Sequence, residues 1–483
     1  MKRRLFSLLL LPALLAIAAE KAPEETEPLA EAILAPNQTT VEVQVFTATR
    51  VPAMPPAATA ADWSATAATL RRRVLDEVVF RGEARAWASA PGRVEWLDTL
   101  ATPHGYSVRK LRYEVVPGLW LPALLYQPDR LTGRVPVVLN VNGHEKTGMA
   151  TPYIQERCIN LAKRGILALN PEWLGRGQLL EEKGLDHYRM NQLDLCGTSG
   201  LAVFHLAAQR ALDVALSLPN ADPGRVAVTG LSGGGWQTIF LSALDERVRL
   251  ANPVAGYSSY VTRVQFPALD LGDSEQTPSD LATVVDYTHL TAMMAPRPTL
   301  LSYNAKDNCC FRADYALAPL VQAAAPVFRL AGAADQLQQH VNHDPGHNYG
   351  RDNREAFYRF LRDQLLGSAA DFPLAEIPSE AEVRPAEALR VPLPADNHDF
   401  QSLALQLSSN LPVTGQPDRA RLEGKVRPPA RSSRCPDAGA SGSRRPRPRA
   451  QIRRPWRPPD KQARGRWPAG ARDRAGRQRA DSS

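Results

Sequence analysis

The chain has 483 residues, enough for one large or two ordinary domains, and its 44% hydrophobic and 22% charged content is that of a globular protein rather than a disordered or fibrous one. Its sequence pI of about 9.3 invites a nucleic-acid reading, but the charge is concentrated at one end. Residues 421–483 carry a net +14 against +8 for the whole chain, which leaves −6 for residues 1–420 and excludes a polyanion-binding role for the folded body.

At the N-terminus, Lys2, Arg3 and Arg4 precede an apolar run of about 15 residues, Leu5 to Ala19, whose end offers the small residues Ala16-Ile17-Ala18. This is the three-part form of a secretory signal, expected over residues 1–19, and the run is short for a bilayer span. No later apolar run reaches spanning length, so a secreted or periplasmic protein free of the membrane after cleavage is expected. Residues 20–62, rich in Ala, Pro and Thr, read as a flexible lead-in with one strand at 40–45. The catalytic body is expected over 63–367. It starts with a helix through Leu70, Val74, Leu75 and Val78, followed by two extended runs at 106–127 that turn on Pro117-Gly118, a β-hairpin at a sheet edge.

The run VPVVLNV (135–141) is apolar without alternation, as for a strand covered on both faces. It stops at Asn142-Gly143-His144. Residues 154–164 read as a helix and 165–170 as a strand ending near Glu172, Trp173 and Arg176. Those three either shape a substrate pocket or form an internal salt bridge beside a packed indole. A long amphipathic helix at 200–218, with His205 in its apolar pattern as a core histidine, leads to RVAVTGLSGGGWQTIFLSAL (225–244). There a β-branched run, the turn Gly230-Leu231-Ser232-Gly233-Gly234 and a helical apolar pattern follow one another, the context in which G-x-S-x-G is a nucleophile elbow. Ser232 is then the nucleophile. Backbone N–H groups of Gly233 and of the Gly143-His144 region are the candidate oxyanion donors.

A serine hydroxyl needs a base to take its proton and an acid to orient that base. After the elbow, strands are expected at 248–254 and 297–303, and less clearly at 327–330 and 337–341, before a closing helix through Phe357, Phe360 and Leu361. Asp307, at the end of a strand, is favoured as the acid over Asp270, Asp273 and Asp314. His347, in the turn Pro345-Gly346-His347, is favoured as the base over His340 and His343. Strands alternating with helices argue for a mostly parallel central sheet with helices on both faces, in a three-layer α/β domain.

The pieces VPGLWLPALLYQP, NVNGHEKTG, NPEWLGRGQ, TGLSGGGWQT, NAKDNCCF and PGHNYG, spread over 106–367, resemble those of α/β-hydrolases of the acetyl xylan esterase, dienelactone hydrolase and prolyl-oligopeptidase group. The resemblance implies the α/β-hydrolase fold and Ser232, Asp307 and His347 as a triad, agreeing with the reading from the residues. It implies an exported carboxylic ester hydrolase acting on a small ester or a polysaccharide ester, with a prolyl-oligopeptidase-type serine peptidase as the alternative. About 100 residues without blade-like repeats precede the first core strand, which argues against the propeller such peptidases carry.

No cofactor is expected. No metal site is expected either, because Cys309-Cys310 lacks any accompanying C-x-x-C or Cys/His spacing. Five cysteines leave at least one unpaired within a monomer, and a bridge from Cys196 to Cys309 or Cys310 stays open. Residues 368–420 read as a Pro/acid-rich linker. Residues 421–483 read as a disordered basic Arg/Pro-rich tail, either polyanion-binding or the product of a shifted reading frame.

Overall fold

The computed structural model describes residues 34–180, 183–266, 272–367 and 371–411. The signal-like segment, Asp270 and the basic tail lie outside them.

Nine strands form one sheet: β1 Val94–Ala101, β2 Tyr106–Val116, β3 Leu119–Pro128, β4 Val135–Asn140, β5 Leu167–Pro171, β6 Ala221–Leu231, β7 Leu250–Val254, β8 Thr299–Lys306 and β9 Leu337–Pro345, in the spatial order β1-β2-β3-β5-β4-β6-β7-β8-β9. The first three are antiparallel, β3 meets β5 antiparallel, and every pair from β5 to β9 is parallel. Pro117-Gly118 makes the β2–β3 turn, with Gly118 at φ 83° as the third residue of a type II turn requires. β1 was not foreseen: in VEWLDTLA neither face is consistently apolar, and the strand is largely exposed.

Successive residues of the parallel strands serve opposite layers. Val137, Leu139, Val226 and Val228 pack with the helices Gly200–Ser217 and Gly233–Leu244, whereas Val138 and Ala227 pack with Pro152–Lys163 and Arg351–Leu365. Strands buried on both faces explain why their sequences run apolar without alternation.

Three expectations change. Residues 40–45 are not a strand but part of the helix Gln38–Arg50, which has no buried residue. Its alternating valines mimic a strand period, yet its backbone bonds close internally and Gln44 donates to Val264 O of another helix rather than to a sheet edge. Residues 327–330 are helical, the end of Ala313–Leu330, whose internal Pro319 and Pro326 hid it. The supposed linker is, over 371–411, a strap packed on the body. Arg164 donates to Pro373 O and Ala375 O, Gln178 bonds Val391 through both backbone groups, Asn397 does the same to Trp120, and His398 N donates to Gly118 O. Leu389, Val391, Phe400 and Leu403 are buried, and Phe400 stacks on Phe204 at 5.9 Å. Composition averaged over the segment misses these widely spaced anchors. Phe400→Ala is expected to cost about 3–5 kcal/mol, read as a lowered thermal midpoint.

Candidate active site

All the candidate groups sit on loops at the C-terminal ends of the parallel strands, the edge where an open α/β sheet exposes its ligand crevice. β6 delivers Ser232 at φ 60° and ψ −123°, a conformation rarely adopted by a residue with a side chain, and the turn is held by Ser232 N donating to Val254 O (3.0 Å) and Trp236 N to Ser232 O (2.9 Å). Glycine is required on either side: a Cβ on Gly230 or Gly234 would stand 2.3 or 2.5 Å from the carbonyl O of Val141, the residue that follows β4, the parallel neighbour of β6. Gly143 lies against the same turn, since a Cβ there would be 2.9 Å from Gly233 N. The two candidate oxyanion segments are therefore neighbours, and Gly233 opens a twelve-residue helix whose N-terminus favours negative charge.

β8 and β9 run side by side, Lys306 opposite Pro345, with Gly346 N donating to Lys306 O. That register brings Asp307 and His347 together: Nδ1 of His347 is 2.7 Å from Asp307 Oδ2, and His347 N donates to Asn308 Oδ1. The other Asp307 oxygen accepts from Cys309 N (2.8 Å) and Cys310 N (3.2 Å). The adjacent cysteines thus contribute backbone donors to the acid, a role no sequence motif announces. Their sulfurs are 2.7 Å from each other, and Cys196 Sγ donates to Ala404 O, so the open bridge from Cys196 to either is not formed.

Burial, the largest single influence, would raise Asp307, but the hydrogen bond and charge of His347 together with the Cys309 and Cys310 N–H groups outweigh it and hold the carboxyl below the usual carboxylate range. Burial, again the largest single influence, opposes the charged imidazole, yet the hydrogen bond and negative charge of Asp307, with smaller contributions from Cys309 and Glu145, raise His347 above the ordinary histidine value. Nε2 of His347 is buried and has no hydrogen-bond partner among the described residues. The competing groups are engaged elsewhere: Asp314 with Arg312, and His340 on β9 with Asp352. His205 is enclosed beside Phe80 and Phe240, and burial lowers its pKa to about 4.

Glu172, Trp173 and Arg176 do not act as a set. Glu172 is buried between Gly148 and Gly177, where it accepts the N–H groups of Met149, Trp173 and Gln178, and burial pushes its pKa up to about 8. It makes no ion pair with Arg176, whose guanidinium donates to Gly175 O. Trp173 is the packed indole, wedged among His144, Phe204 and Trp236 with its ring edge over Gly233. Of the three, it alone walls the elbow.

Sequence spacing also missed a cluster beside this loop, in which His144 meets His187, Asp273 and Glu275. These come from three separate stretches spanning more than a hundred residues, so no local motif could mark them. Asp273, weighed in the sequence as a triad acid, belongs here.

Residues 102–283 match the family model described as acetyl xylan esterase. Among solved structures, a methylesterase is similar at 18% identity, covering 81% of each chain with a TM-score of 0.57. A candidate acetyl xylan esterase from Bacteroides fragilis is similar at 15% identity, covering 62% of this chain and 81% of that one with a TM-score of 0.51. No match is found among curated proteins. The fold is that of the α/β-hydrolases, with the antiparallel β1-β2-β3 hairpin unit at its N-terminal edge. The peptidase alternative finds no support in these matches.

Proposed function

We infer that this chain, an α/β-hydrolase and carboxylic ester hydrolase whose residues 102–283 match the acetyl xylan esterase family, is an exported serine esterase acting on carbohydrate esters through Ser232, His347 and Asp307. The observation that carries the reading is the Asp307–His347 pair on the same strand-end edge as the strained Ser232, with its outer nitrogen unpartnered. In the first half-reaction, Nε2 of His347 takes the Ser232 proton as Oγ attacks the ester carbonyl. Gly233 N–H and a backbone N–H of the Gly143-His144 segment receive the oxyanion. The alcohol leaves with the proton, and water then releases the acyl-enzyme by the same route. The similar structures named above are a methylesterase and a candidate acetyl xylan esterase, so small acyl or alkyl groups on polysaccharides are the substrates proposed. Export rests on the charged, apolar and small-residue pattern of residues 1–19.

The test is a panel of p-nitrophenyl acetate, acetylated xylan, a methyl glucuronate ester and a prolyl peptide. Hydrolysis of the esters with the peptide intact is expected; cleavage of the peptide alone would overturn the reading. His347 must be neutral to act as base, and its raised pKa places the loss of activity on acidification higher than usual. The acid limb of kcat/KM should therefore have its midpoint above about 6.5. A pH–rate profile checks this.

A further inference from the structure

Four side chains that the ester chemistry does not use converge beside the oxyanion loop. His144 follows Gly143, His187 opens the turn His187–Met190, and Asp273 and Glu275 come from the stretch before Leu281–Val284. Nε2 of His144 is 3.1 Å from His187 Nδ1, 3.5 Å from Asp273 Oδ2 and 3.8 Å from Glu275 Oε1. His187 places Nδ1 3.0 Å from Glu275 Oε2 and Nε2 3.9 Å from Asp273 Oδ1. One donor atom from each residue can be chosen so that all four lie within 4.8 Å of one another. A tetrahedral ion with ligands at roughly 2.0–2.2 Å spaces its donors about 3.4 Å apart, inside that limit.

A second observation is independent of this geometry. The Glu275 side chain has 0% exposure, and among the described residues neither carboxylate oxygen receives a well-directed hydrogen bond, although His187 Nδ1 stands 3.0 Å from Oε2. A carboxylate taken out of water without donors is unfavourable unless a cation compensates it. His187 as an imidazolium would neutralise only one of the two carboxylates, whereas a dication with two neutral imidazoles balances both. The side chains of His144 and Asp273 remain 24% and 29% exposed, which leaves an ion a path inward. Tyr188 Oη donates to Asp273 Oδ1 and Gln276 Nε2 to its Oδ2, the outer contacts that orient a ligating carboxylate.

We propose that His144, His187, Asp273 and Glu275 bind one divalent transition-metal ion of the zinc class. Two imidazoles and two carboxylates suit such an ion better than Ca²⁺ or Mg²⁺, which take all-oxygen sets. The ion would tie the loop carrying Gly143 to two segments remote in sequence, and so hold the backbone donors over the elbow. This proposal departs from the expectation, drawn from the cysteine spacing, that the chain has no metal site.

The full-length protein is stripped with a chelator, dialysed, and titrated with Zn²⁺ by calorimetry, with metal content measured by mass spectrometry. About one equivalent is expected, with a raised thermal midpoint on loading. Glu275→Gln and Asp273→Asn are each expected to weaken binding at least ~10-fold and to lose the thermal response. Asp273 is part-exposed, so its variant keeps the test valid if Glu275→Gln does not fold. Ser232→Ala is expected to bind the metal unchanged, which separates this site from the esterase reading. Zn²⁺ binding equal in the wild type and in Asp273→Asn, or tighter binding of Ca²⁺ than of Zn²⁺, would overturn the proposal.

Discussion

Replacing Ser232 by alanine is expected to reduce ester turnover on the order of 10⁶-fold, the loss that follows removal of a serine nucleophile that works as a unit with its base. The substitution suits this site as a test because it separates chemistry from folding. The φ of 60° strains alanine as it does serine, and among the described residues no hydrogen bond from the Ser232 hydroxyl holds the turn together; the backbone bonds to Val254 and from Trp236 do. The thermal midpoint should therefore stay within a degree or two of the wild type, about the shift that surface substitutions produce. Turnover retained in a correctly folded Ser232→Ala protein would remove the nucleophile assignment.

Asp307→Asn is expected to lower kcat by roughly 10⁴-fold with little change in KM. The direction follows from the contacts on the two carboxylate oxygens. Oδ1 receives Cys309 N–H and Cys310 N–H, so an asparagine turns its carbonyl to those donors and its NH₂ to His347. Nδ1 of His347 must then accept, which places the ring proton on Nε2, the atom that has to be free to take the serine proton. Loss of the carboxylate also removes what raises the His347 pKa, so the acid limb of residual activity should move to lower pH. A pH–rate profile of the variant with no such shift, alongside near-normal kcat, would argue that another acid serves the histidine.

Much of this site is legible in the sequence because its parts are local. A β-branched run, a glycine-flanked serine and a helical pattern lie within twenty residues. Asp307 and His347 each follow a strand directly, and the register of β8 on β9 does the rest. What was not legible depends on contacts between distant segments. The four-residue cluster draws on positions from 144 to 275, the backbone donors to Asp307 carry no side-chain signature, and Glu172 gives no sign in one dimension of the two glycines that enclose it. The helix Gln38–Arg50 carries valines at a two-residue spacing that in one dimension is the same as a strand's, and only the lack of a sheet edge to receive it tells the two apart. The strap resembles a linker in composition because its apolar anchors are too sparse to shift the average over forty residues.

That strap sets a practical limit on how the gene can be shortened. Ending translation at 367, where the last core helix has just closed, would uncover Phe204, strip the bonds from Trp120 and Gly118, and leave apolar surface on both sides of the sheet open to association with other molecules. Ending it after 411 retains every one of those attachments, so the longer product should be recovered in the supernatant and the shorter one in the pellet.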